Sequence, residues 1–126
     1  MTLPAFPALP RLARLAFWGA LVFSFFMAIL PQAPPVPGSP SDKTLHMLAF
    51  GTLGFLASLG WPRARWWGLF LALSGFGGLI EIVQSIPALG RDAQLSDLLA
   101  DCAAAGLSIG LVELWRSEIA PRFVKQ

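Results

Sequence analysis

Four apolar runs, each about as long as a bilayer is thick, organise this chain: 12–30, 40–61, 66–86 and 96–115. A hydrocarbon core about 30 Å deep takes roughly 20 helical residues at about 1.5 Å rise each, so each run is long enough for one crossing. The runs are punctuated by proline, with Pro31 ending the first, Pro62 the second and Pro87 the third. Composition agrees, because 56% of the 126 residues are apolar and 13% charged, against roughly 45–50% and about 25% in soluble domains. Lipid is therefore the solvent this sequence is written for. The expected fold class is all-α, a polytopic membrane protein built as a four-transmembrane-helix bundle in a single domain over 1–126.

Local signals refine the boundaries. The segment 31–39 is a Pro-rich connector that cannot be helical, since each proline removes a backbone donor and restricts the residue before it. Ser39 fits an N-cap, with Pro40 at the first helical position and Asp42 reaching back in the manner of a capping box. The basic start before the first run invites comparison with a signal peptide. The run exceeds the roughly 7–15 residues of a signal core and no A-x-A site follows, so a retained span is expected. Gly106 and Gly110 form a GxxxG pair, which predicts close helix packing. Cys102 is the single cysteine, which excludes an intramolecular disulfide or a CxxC site, and its Ala-rich surroundings make it a packing residue.

Orientation follows from two counts with different physical origins. Arg11 and Arg14 precede or open the first run, Arg63 and Arg65 lie between the second and third, and Arg116, Arg122 and Lys125 follow the fourth. The two alternate connections carry only Lys43 and Arg91. The positive-inside rule then places both termini and the middle loop in the cytoplasm, with 117–126 as a cytoplasmic tail. The five tryptophans, Trp18, Trp61, Trp66, Trp67 and Trp115, all fall at that same level, where an amphipathic indole prefers to sit. A bacterial inner membrane is the expected location, and the formal charge of +2 is too small to argue for nucleic acid as a partner.

The remaining polar residues gather at the other face. Asp42, Lys43 and His46 open the second helix, Glu81 and Gln84 close the third, Arg91 and Asp92 lie in the outer loop, and Asp97 and Asp101 open the fourth. Residues three or four apart share a helix face, so Asp42 and Lys43 each stack with His46, Glu81 with Gln84, and Asp97 with Asp101. Glu81 should lie ~9 Å inside the third span at about 1.5 Å per residue, where an isolated carboxylate costs roughly 2.5–3.5 kcal/mol on insertion scales. It must be protonated, solvated or paired, and Lys43, His46 and Arg91 are the cations at its level. Two readings compete: mutual satisfaction that fixes helix packing, and a functional pocket open to the outside. So many ionisable groups at one depth exceed what packing requires.

These residues spell a pattern: DKTLHMLAF at 42–50, EIVQ at 81–84 and GRDAQLSDLLAD at 90–101. The pattern resembles the VanZ-like family, over about Asp42 to Gly110. The resemblance implies a polar cluster of Asp42, Lys43, His46, Glu81, Gln84, Arg91 and Asp97, and a link to glycopeptide antibiotic resistance without a stated mechanism. Where the family pattern has Asn, this chain has Asp101, which replaces an amide donor with a carboxylate.

Three functions follow. The first is a binding or modulating role for a polar, anionic cell-envelope molecule such as a lipid headgroup or cell-wall precursor, with Arg91 and Lys43 on the anion and membrane lipids as partners. The second is a membrane-embedded hydrolase or transferase with His46 and Glu81 as acid and base and Asp97 nearby. Ser85 and Ser96 sit at the right level for it, but neither lies in a recognised nucleophile elbow. No dense metal-ligand motif is present, so the sequence assigns no metal and no cofactor. The third is a proton pathway through Glu81, against which the inner halves of the spans offer no second ionisable group.

Overall fold

A computed structural model of the chain describes residues 8–30, 37–38, 42–90 and 93–118. Among these residues the fold is all-helical, with four α-helices in chain order: α1 (Leu9–Ile29), α2 (Asp42–Gly60), α3 (Trp66–Gln84) and α4 (Leu95–Glu118). A single 3-10 turn, Pro87–Leu89, joins α3 to the approach of α4. Three of the helices, α1, α3 and α4, are long and apolar enough to cross a membrane. The fourth, α2, has 19 residues, enough for about 28 Å at about 1.5 Å per residue. Its first turns spend their length on Asp42, Lys43 and His46, which lowers its hydropathy.

The helix ends differ from the sequence reading for local reasons. α1 starts at Leu9 and takes Pro10 into its first turn, where a missing N–H costs nothing, so Arg11 and Arg14 lie on the helix. α3 stops at Gln84, because Ser85 already hands its N–H to the carbonyls of Glu81 and Ile82 and Pro87 cannot continue the ladder. α4 runs on to Glu118, supported by an Arg116–Glu113 ion pair of 3.3 Å one turn apart. The Ser39–Pro40 cap lies outside the described residues.

α2 is the centre of the bundle. It packs most extensively on α4, then on α1, while α3 lies chiefly against α4. Because the chain alternates direction, α2 and α4 run parallel and start at the same end. They approach closely at Gly54, where an added Cβ would meet the Ala105 carbonyl oxygen at 2.9 Å and the Ser108 hydroxyl. The GxxxG pair does not make this contact. Gly106 is covered by the Phe70 ring, and Gly110 faces open space. The small residue that lets two backbones meet is therefore on the other helix.

The inner stripes show how sequence becomes bundle. On α2 the stripe is His46, Phe50, Leu53 and Ala57, on α3 it is Leu73, Gly77, Ile80 and Gln84, and on α4 it is Asp97, Asp101, Ala105, Ile109 and Val112. Each has helical spacing, and each changes from apolar to polar at the same end. The opposite surface is equally apolar: Leu15, Val22, Phe23, Leu48, Leu71, Ile82, Leu99, Leu107 and Leu111 are all exposed. A chain apolar inside and outside, with backbone bonds satisfied within helices, is suited to lipid.

The far end is closed by aromatics and arginines. Phe17, Trp18 and Trp61 meet edge to face, with centroids 5.1–6.0 Å apart, and Trp115 lines a groove with Leu59. With Trp66 and Trp67 opening α3, all five tryptophans lie at the end of the bundle opposite His46. Arg14 from α1 donates Nε to the Gly60 carbonyl at 2.6 Å, and Arg116 from α4 donates Nη2 to the Ser58 carbonyl at 2.6 Å. Cationic donors from two neighbours thus complete the C-terminal turn of α2, whose last carbonyls have no intrahelical partner.

Candidate functional site

The polar end is assembled from three helices. Parallel packing of α2 on α4 sets two pairs one turn apart: Lys43 Nζ lies 3.8 Å from Asp97 Oδ1, and His46 Nδ1 lies 3.6 Å from Asp101 Oδ2. The step 43/46 on one helix and the step 97/101 on the other, three and four residues, are each about one turn, so both pairs form along one parallel contact. Lys43 also donates to Ser96 Oγ at 3.3 Å. From α3, Glu81 turns towards the start of α4, where its Oε2 accepts the Gln94 backbone N–H at 3.0 Å.

Depth divides the site into an outer and an inner layer. The Lys43 side chain is 45% exposed, and Asp97 is buried beneath it. The inner pair is closed off, with His46 11% exposed and Asp101 completely buried. Neither Asp101 oxygen has a hydrogen-bond partner among the described residues, nor does Glu81 Oε1. The 3.6 Å His46–Asp101 separation is an ion-pair distance, longer than a hydrogen bond. Ligand atoms of His46, Glu81 and Asp101 all lie within 4.8 Å of one another.

Electrostatics favours the carboxylates here only in part. The N-termini of α2 and α4 both arrive at this end, and Asp97 sits in the first turn of α4, where the helix dipole stabilises a negative charge. Three acidic side chains nevertheless face one lysine and one histidine among the described residues. Ionised, the centre carries a surplus of negative charge.

The sequence-derived candidates divide accordingly. Lys43, His46, Glu81, Asp97 and Asp101 come together. Gln84 does not join them: it is buried, and its Nε2 donates to the Ala28 carbonyl at 3.1 Å, tying α3 to the end of α1. Although Glu81 and Gln84 are one turn apart, their polar groups take different partners, the Gln94 N–H for Glu81 and the Ala28 carbonyl for Gln84. The Asp42 backbone opens α2, but its side chain lies outside the described residues, as do Arg91 and Asp92. Ser85 spends its hydroxyl on the Ile82 carbonyl at 2.5 Å. The Gln94 backbone and the Ser96 hydroxyl as lysine acceptor were not legible, since a main-chain donor leaves no trace in residue identity. Cys102 packs as read, with Sγ 3.4 Å from Ser74 Oγ.

Beside the inner layer, α1, α2 and α3 leave a cleft of about 510 Å³ lined by Ala20, Phe23, Met27, Leu45, Ala49 and His46 among others. Its walls are almost entirely apolar, and His46 is the ionisable group on them. Compared with protein-family models, curated proteins and solved structures, the chain matches none.

Proposed function

We propose that this chain is a four-span, VanZ-like membrane protein, with both termini cytoplasmic, that binds an anionic lipid or lipid-linked precursor of the cell envelope at its outward-facing polar end. One observation carries the reading: His46 lines the apolar cleft and also stands 3.6 Å from Asp101 in the polar centre, so a greasy slot opens directly onto charge. An amphiphile fits such a junction, with an acyl chain against Phe23, Met27, Leu45 and Ala49 and its headgroup near Lys43 and the N-termini of α2 and α4. Arg91 is assigned to the same anion as a bidentate donor.

The test is lipid retention by native mass spectrometry of protein purified in mild detergent. Phosphatidylglycerol should be retained over phosphatidylcholine, and Ala49→Trp, which fills the cleft, and Lys43→Ala should each reduce retention. Equal retention of both lipids, unaffected by either substitution, refutes the proposal.

A second reading, a membrane-embedded hydrolase or transferase on a lipid-linked substrate, is favoured by the approach of His46 and Glu81 within 4.8 Å, which suits an acid and base pair. Turnover of a lipid-linked pyrophosphate abolished by His46→Ala would replace the binding reading with this one.

A further inference from the structure

We propose that His46, Glu81 and Asp101 bind one divalent transition-metal ion, held by one imidazole nitrogen and two carboxylate oxygens. This site is independent of whether a lipid enters the cleft. The geometry comes first. The three side chains project from α2, α3 and α4 to a common point, with ligand atoms within 4.8 Å of one another and His46 Nδ1 and Asp101 Oδ2 already 3.6 Å apart. Ligands at ~2.0–2.2 Å from a first-row ion stand roughly 3–4 Å from each other, so small side-chain rotations close the set.

The second observation is independent of the clustering. Asp101 is completely buried, points into this group, and has no hydrogen-bond partner for either oxygen among the described residues. Glu81 adds a second buried oxygen in the same condition, Oε1, while its Oε2 is held by the Gln94 N–H. Buried carboxylates are paired or coordinate a metal. Lys43 does not serve, because it lies in the outer layer beside Asp97 and Ser96. A divalent ion neutralises two carboxylates and satisfies their oxygens together.

The donor set selects the class of ion. Carboxylate oxygens suit Mn²⁺ and imidazole suits Zn²⁺ or Fe²⁺, whereas Ca²⁺ takes six to eight oxygens. Three protein ligands leave coordination positions for water or another oxygen donor, the arrangement of open rather than structural sites. The Gln94 bond to Glu81 orients the carboxylate from outside, as partners of metal ligands commonly do.

Mn²⁺ is a decisive probe because the chain contains a single histidine. Protein carrying no polyhistidine tag, stripped with chelator and held in lipid-free detergent, is titrated with Mn²⁺ and followed by electron paramagnetic resonance. The expected result is one saturable ion per chain whose electron spin-echo modulation contains the ¹⁴N coupling of a directly bound imidazole, which only His46 can supply. His46→Ala should abolish that coupling. Loss of outer partners alone costs roughly 10–100-fold in affinity, so Asp101→Asn and Glu81→Gln should each weaken binding by about 100-fold or more, while Lys43→Ala leaves it intact or tighter. Absence of saturable binding in the unaltered protein, binding without ¹⁴N coupling, or full affinity in Asp101→Asn would each overturn the proposal. The first two outcomes need no variant to fold, and none depends on lipid.

Discussion

Replacing Gly54 by alanine should loosen the bundle, although alanine is the better helix former. A Cβ at this position would stand 2.9 Å from the Ala105 carbonyl oxygen and 3.4 Å from the Ala105 Cα, and would displace the Ser108 hydroxyl, which donates to that carbonyl at 3.0 Å. Ser108 can rotate away. The Ala105 backbone belongs to α4 and moves only if the helix does. Overpacking of this kind costs about 1–3 kcal/mol, and the displaced hydroxyl bond adds about 0.5–1.5 kcal/mol. Against this, the change from glycine returns ~1 kcal/mol of helix propensity. A net loss of about 0.5–3.5 kcal/mol follows. Gly51, one turn earlier on the same helix, is the internal control, because a Cβ there meets nothing within 4 Å. Gly51→Ala should be neutral or stabilising by up to ~1 kcal/mol. Unfolding in mixed micelles of rising SDS content, followed by tryptophan fluorescence, compares the two directly. If Gly54→Ala unfolds at the same or a higher SDS fraction than Gly51→Ala, the parallel α2–α4 contact is not as described.

Three further outcomes follow from particular contacts. Gln84→Leu leaves the buried Ala28 carbonyl without its donor and should cost about 1–2 kcal/mol, within the range for interhelical bonds in membranes, measurable by the same SDS unfolding. Arg14→Ala and Arg116→Ala each remove a charged donor from a different carbonyl of α2. Each should cost about 1.5–3 kcal/mol. Mn²⁺ at about 100 times its Kd should stabilise the chelator-stripped protein by about 2.7 kcal/mol and leave Asp101→Asn unmoved, which a thermal melt with and without the ion reads.

What the sequence disclosed depended on whether the physics was local. The helices were legible because proline and apolar length are properties of a segment, and their ends moved by only a few residues, as at Leu9 and Gln84. The inward turn of Asp97 and Asp101 was legible from four-residue spacing, since that spacing keeps one face. The fate of Gln84 was not, because its partner is the Ala28 carbonyl of α1, and a main-chain acceptor on another helix leaves no trace in residue identity. The close approach at Gly54 is not legible, and the GxxxG pair points elsewhere, for the same reason: a pattern on one helix does not say what faces it. That His46, Glu81 and Asp101 share one end was legible, but not that their ligand atoms meet within 4.8 Å, because metal-ligand motifs announce themselves by close spacing on one element and these three come from separate helices. Arg14 and Arg116 were counted as charges that choose a side of the membrane, and a count cannot foresee the carbonyls they hold.

That last arrangement bears on how the chain is made. The end of α2 is finished by one side chain synthesised before it and one synthesised well after it. When α1 and α2 have emerged from the ribosome, Arg14 can already reach Gly60, and the first hairpin can close. The Ser58 carbonyl must wait for Arg116, near the end of the described chain, and until then lacks this donor. A nascent chain truncated before residue 116 would therefore keep the Arg14 latch on its first hairpin while its central helix stayed unlatched on the α4 flank. Arrival of α4 supplies the second latch.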